Sequence, residues 1–90
     1  MRITFDPAKR AATLKERRLD FADAGRIFDG LTYTLIDDRY DYGEIRYITF
    51  GFLAGRMVAR VWTNRETSRH VISLRKCNDR EQTKYKAKLG

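Results

Sequence analysis

Polar and apolar residues alternate through the middle of the chain, and apolar residues recur at helical spacing on either side of that region. Arg2-Ile3-Thr4-Phe5 alternates and predicts a short strand. Asp6-Pro7 then has the form of a helix start, with Asp6 as N-cap and Pro7 at the first helical position, where a missing N–H costs nothing. A helix over about residues 8–17 follows, with Ala11, Ala12 and Leu14 directed at the core. Asp20 caps a second helix, with Asp23 three residues on, and Phe21, Ala24, Ile27 and Phe28 form its apolar stripe. Gly30 stands where a helix end favours a left-handed residue.

Residues 31–37 (LTYTLID), 45–52 (IRYITFGF), 57–63 (MVARVWT) and 68–75 (SRHVISLR) are rich in β-branched and aromatic side chains. The connections between them, 38–43, 53–56 and 64–67, are short and polar or glycine-containing, which predicts an antiparallel meander. Asn78 or Asp79 can cap a last helix over residues 80–89 that carries Lys84, Lys86 and Lys88. The expected fold class is α+β: an antiparallel sheet of about four strands, two N-terminal helices packed on one face, and a C-terminal helix.

Length and charge narrow the picture. Residues 1–90 are expected to form one domain, because a chain this short cannot enclose two cores. Nineteen Lys and Arg against 12 Asp and Glu leave a net charge of +7, which favours a polyanionic partner. Cys77 is the one cysteine, so no internal disulfide forms, which suits a reducing compartment. No apolar run reaches the length of a membrane span and the first residues lack a signal peptide's apolar stretch, so the expectation is a cytoplasmic protein with no membrane contact.

Five short motifs carry a family resemblance. They are Phe5-Asp6-Pro7-Ala8-Lys9; Asp20-Phe21-Ala22-Asp23-Ala24 with Ile27-Phe28-Asp29; Gly43-Glu44-Ile45-Arg46; Thr63-Asn64-Arg65 followed by Arg69-His70-Val71-Ile72-Ser73-Leu74-Arg75; and Glu81 with Tyr85. In this order they resemble the BrnT (DUF497) toxins. The resemblance implies a RelE-like fold and RNA cleavage that halts translation, on free or ribosome-associated RNA. It also implies a cognate DNA-binding antitoxin of the BrnA kind, with which the chain would form a hetero-oligomer. Members commonly carry Lys-His-Gly between the two helices, where this chain has Glu16-Arg17-Arg18. No role resting on that His carries over. The missing Gly places a side chain at a position suited to a left-handed turn, at a cost of about 1 kcal/mol if that conformation is kept.

RNA is cut without a metal when its own 2′-hydroxyl attacks the adjacent phosphate. A protein must then remove a proton, stabilise charge on phosphorus and protonate the leaving oxygen. Arginine suits the second task, because its planar fork binds two phosphate oxygens and stays charged. By strand alternation Arg69 and Arg75 share a face, with Val71 and Ser73 between them, and His70 lies opposite with Ile72 and Leu74. Glu44 and Arg46 share a face of another strand. If both strands present the same sheet face, Glu44, Arg46, Arg69 and Arg75 converge as the catalytic group, Glu44 being the candidate base. Lys9, Arg65, Lys84 and Tyr85 are the expected RNA contacts.

Bland alternatives stay open beside these. Glu44–Arg46 could be a plain ion pair, His70 a structural residue, and Glu81–Tyr85 a device that pins the last helix. No metal-ligand spacing, phosphate loop or Ser/His/Asp arrangement is visible, so no cofactor is expected, and Asp37, Asp38 and Asp41 suggest a polar turn. The rival function is a non-catalytic module that stacks unpaired bases on Tyr40, Tyr42, Tyr47 and Trp62, with a basic adaptor for an acidic protein as a third.

Overall fold

A computed structural model describes residues 2–27 and 30–89, with the side chain of Ile27 left aside. The elements are β1 (Arg2–Phe5), α1 (Pro7–Arg17), a 3₁₀ turn (Phe21–Asp23) running into α2 (Ala24–Ile27), β2 (Tyr33–Asp37), β3 (Arg46–Leu53), β4 (Arg56–Arg65), β5 (Ser68–Lys76), α3 (Asp79–Tyr85) and a closing 3₁₀ turn (Lys86–Leu89). The expected meander is present from β2 to β5. The sheet is nonetheless five-stranded and mixed, in the order β1-β5-β4-β3-β2, because β1 lies parallel to β5 with Ile3 beside Arg69 and Phe5 beside Val71. Ile3 and Phe5 pack on the core from that edge, which is burial a lone four-residue strand could find nowhere else.

Two further corrections concern the helices. The second N-terminal helix is a 3₁₀ turn plus a single α-turn rather than a full helix, and Gly25 inside it lowers helical stability. Phe28 lies outside the described residues, and Gly30 does not take the left-handed conformation expected of a helix end. The helices also divide between both sheet faces. Leu19, Phe21, Ala24, Leu53, Val58, Val71 and Leu74 form the core on the side of α2. Phe50, Met57, Ala59, Cys77 and Leu89, with Tyr85 packed against them, form the core under α3.

The caps follow the sequence. Asp6 accepts from the N–H of Ala8 at 2.9 Å, Asp20 from that of Ala22 at 3.0 Å, and Asn78 forms a reciprocal capping box with Glu81. α1 departs from expectation: none of its residues is buried, and Leu14 is 45% exposed. Polar ties hold it instead, through Arg10 to Asp20 at 2.7 and 3.0 Å and Arg17 Nη1 to the carbonyl of Leu74 at 3.1 Å.

One irregularity governs the sheet faces. Val61 pairs with Ser73 but Trp62 pairs with Val71, so Ile72 is an extra residue in β5. Strict alternation would put Val71 and Leu74 on opposite faces; the bulge lets both enter the same core. It also reverses the face of everything beyond it.

The acidic turn after β2 is built on Asp37, whose side chain is 1% exposed. It accepts from Arg39 Nε at 2.7 Å and Nη2 at 2.9 Å and from the Tyr42 hydroxyl at 3.1 Å. The Arg39 hydrogen bonds hold its carboxyl at about 2 against the opposing effect of burial. A carboxyl depressed in the folded state contributes stability above its unfolded value near 4 and loses it as pH falls toward 2. Arg39 is 59% exposed, so solvent screens the pair, and the contribution is about 1–2 kcal/mol. Asp37→Asn is therefore expected to lower stability at neutral pH by that amount and to flatten the loss between pH 4 and 2. Urea denaturation across that range reads both effects, and an unchanged acid limb would show that Asp37 does not set it.

Candidate active site

Two tight hairpins bring the first cluster together. β3 and β4 are joined by Ala54 and Gly55, and β4 and β5 by Glu66 and Thr67. Ala54, Gly55 and Glu66 have positive φ, as such turns require. The resulting registers set Trp62 beside Tyr47 and Thr63 beside His70. One step further along the first ladder lies Arg46, and the Thr63 hydroxyl donates to the carbonyl of Ile45 at 2.7 Å. Arg46, Thr63, Arg65 and His70 thus belong to the face that α3 covers farther along the sheet, at the end α3 leaves open.

Glu44 joins them from the loop before β3. Its Oε2 accepts from Arg46 Nε at 3.0 Å, and its Oε1 lies 3.9 Å from Arg65 Nη2. The Arg46 guanidinium sits 4.0 Å from the centre of the Tyr42 ring, which fixes it on a second side. His70 Nδ1 is 2.9 Å from Thr4 Oγ1 on β1, so the parallel edge strand orients the imidazole. Burial and the positive charge of Arg65 push the His70 pKa below its ordinary value, while Glu44 pulls the other way. His70 is therefore neutral at pH 7 and placed within electrostatic reach of Arg65, Glu44 and Lys9.

The remaining candidates are dispersed. Arg69 lies before the bulge, on the α2 face, with its guanidinium 5.1 Å from the centre of the Trp62 ring. Arg75 lies beyond the bulge, on the opposite face, bound to Glu81 through two contacts of 2.7 Å. The expectation that Arg69 and Arg75 share a face is corrected: six residues of strand, roughly 20 Å, and the sheet itself separate them. His70 lies opposite Arg69 as expected, but on the same face as Arg46 and Arg75. Lys9 is exposed near the start of α1. Lys84 and Tyr85 lie on α3, where the Tyr85 ring stacks on Phe50 at 4.1 Å and meets Tyr33 at 5.7 Å. Its faces serve packing rather than an unpaired base, and Glu81 and Tyr85 do pin the last helix.

Two residues escaped the sequence reading. Arg60 is completely buried and donates from Nη1 to the carbonyl of Ala24 at 2.6 Å; burial and nearby Arg69 push its pKa down. An arginine amid β4's apolar residues gives no local sign of this. The sequence leaves His70 open as a structural residue, because four-residue connections over 53–56 and 64–67 do not fix the registers; the two-residue turns observed bring it to Thr63. Cys77 is buried, and burial pushes its thiol up to about 11, so it stays protonated at neutral pH. Among the described residues no three His, Cys, Asp or Glu side chains gather as a metal site.

The model of the BrnT family, described as the ribonuclease toxin of type II toxin–antitoxin systems, matches residues 5–81. The chain belongs to the BrnT family. This BrnT toxin is accordingly a ribonuclease, and its biological setting supplies an RNA substrate and a protein antitoxin. The non-catalytic module is not favoured. No curated protein matches the chain. No helix among the described residues is long and apolar enough to cross a membrane.

Proposed function

We propose that this BrnT toxin cleaves RNA without a metal, at the cluster of Glu44, Arg46, Arg65 and His70. The observation that carries the reading is the meeting of one carboxylate, two guanidinium groups and a neutral imidazole at the open end of one sheet face. His70 takes the proton from the 2′-hydroxyl, whose oxygen attacks phosphorus. The P–O5′ bond breaks, and the 5′-oxygen leaves with a proton from water. Arg46 and Arg65 hold the non-bridging oxygens as charge builds on them, and Glu44 orients both guanidinium groups. The products are a 2′,3′-cyclic phosphate and a 5′-hydroxyl. Arg69 and Arg75, taken from the sequence as catalytic, serve elsewhere in this reading. RelE-like action on cytoplasmic RNA, free or on ribosomes, and a BrnA-like antitoxin covering the arginines with carboxylates complete it.

Purified toxin freed of antitoxin is expected to cleave single-stranded or ribosomal RNA in EDTA and to leave cyclic phosphate ends. Intact RNA in both settings, or 5′-phosphate products, would overturn the mechanism. A base with a lowered pKa works once deprotonated, so kcat/KM should rise with pH through a value below the ordinary 6.5 of histidine and level off by neutrality. His70→Gln should lose that acid limb together with most of the rate; a variant that keeps both would exclude His70 as the base.

A further inference from the structure

At the opposite end of β5 a cavity of about 530 Å³ is lined by Glu16, Arg17, Arg18, Arg75 and Lys76. A neighbouring cavity of about 390 Å³ shares Arg18 and Lys76 with it and reaches Arg56. The two read as one groove with Arg18 and Lys76 at its middle. Of its three carboxylates, Asp20 binds Arg10 at 2.7 Å and Asp23 lies 3.9 Å from Arg26, while Glu16 makes no ion pair among the described residues. Of the cations, Arg17 is committed to the Leu74 carbonyl and Arg75 to Glu81. Arg18, Arg56 and Lys76 make no ion pair among the described residues, and their charge faces the groove.

Arg18 adds an independent sign. It caps α1 in the left-handed conformation, at φ 57° and ψ 34°, with its N–H bonded to the Leu14 carbonyl at 3.0 Å. Glycine takes that conformation without strain, whereas an arginine there costs backbone energy. A long cationic side chain held against that preference, between two cavities, fits a binding role better than a capping one. None of the large exposed apolar side chains lines either cavity, so the groove lacks the anchor on which protein partners depend.

We infer that this groove is a second phosphate-binding surface, which holds single-stranded RNA by its backbone, with Arg18 and Lys76 as the central contacts. It rests on the ribonuclease reading for the identity of the polyanion. His70 and Lys76 are six residues apart along β5, roughly 20 Å, so the groove holds a segment of RNA away from the cleaved bond. Contacts of this kind are independent of base sequence and sensitive to salt.

The test uses the full chain and a short fluorescein-labelled 2′-O-methyl oligouridine, which cannot be cleaved because its 2′-oxygen is blocked. Binding is read by anisotropy in EDTA over a salt series. Arg18→Gly should melt at the same temperature or higher, since glycine relieves the left-handed backbone, yet bind about fivefold more weakly at about 0.1 M salt, with a log–log slope shallower by about 0.7. Lys76→Ala should do the same, and the double variant should lose about twice the slope. Unchanged affinity and slope in both single variants would overturn the groove. So would Arg18-dependent binding of polyglutamate without Arg18-dependent binding of the oligonucleotide, which would give the surface to an acidic protein. Binding with these sensitivities, but no cleavage of natural RNA, would sustain the groove and sink the cleavage mechanism. Cleavage with Arg18-independent binding would do the reverse.

Discussion

Arg46→Ala should slow single-turnover cleavage at saturating RNA by roughly 10²- to 10³-fold, or about 2.7–4 kcal/mol, the scale of one preorganised donor lost from a transition state. The size follows from how the side chain is held. Its Nε is bound to Glu44 at 3.0 Å, its plane lies against Tyr42, and its side chain is 26% exposed. The guanidinium is thus held in place before substrate arrives. Arg46→Lys keeps the charge but not the fork and should recover only part of the rate. Folding should barely change, because a partly exposed ion pair contributes under about 1 kcal/mol. Arg69→Ala, behind the sheet, should leave the rate within about threefold. A rate loss at Arg69 with none at Arg46 would move the chemistry to the α2 face.

The largest expected effect on stability is at Trp62. The ring is 8% exposed and stacks on Tyr47 with centroids 4.7 Å apart. Its Nε1 donates to Thr49 Oγ1 at 2.8 Å, and Thr49 Oγ1 lies 2.8 Å from Thr34 Oγ1. One polar chain therefore ties β4, β3 and β2 within the sheet. Trp62→Ala removes the packing and a buried hydrogen bond together, at a cost of about 3–5 kcal/mol. Small domains have roughly 5–15 kcal/mol in all, so the variant should be close to unfolded at 37 °C. Trp62→Phe keeps the stacking and loses the donor, for about 1–3 kcal/mol. Urea denaturation followed by circular dichroism separates the two. A loss under 1 kcal/mol for the alanine variant would show that the ring is not part of the sheet's core.

Much of this molecule was open to inspection along the chain. The caps at Asp6, Asp20 and Asn78, the four meander strands and the left-handed position at Arg18 depend on residues a few positions apart, whose energies are settled locally. The grouping of Arg46, Thr63 and His70 follows from two-residue turns, where the sequence suggests four-residue connections. Tertiary structure alone decided three things. β1 joined β5 across most of the chain, because there Ile3 and Phe5 pack, partly buried, against the core. α1 became a helix held by polar contacts, because the α2 face was filled by Leu19, Phe21 and Ala24. The extra residue at Ile72 let Val71 and Leu74 enter one core and so turned Arg75 away from Arg69. A bulge leaves no local signature, since its stability comes from side chains packing across neighbouring strands, and a single such residue reassigns every side chain beyond it to the other face.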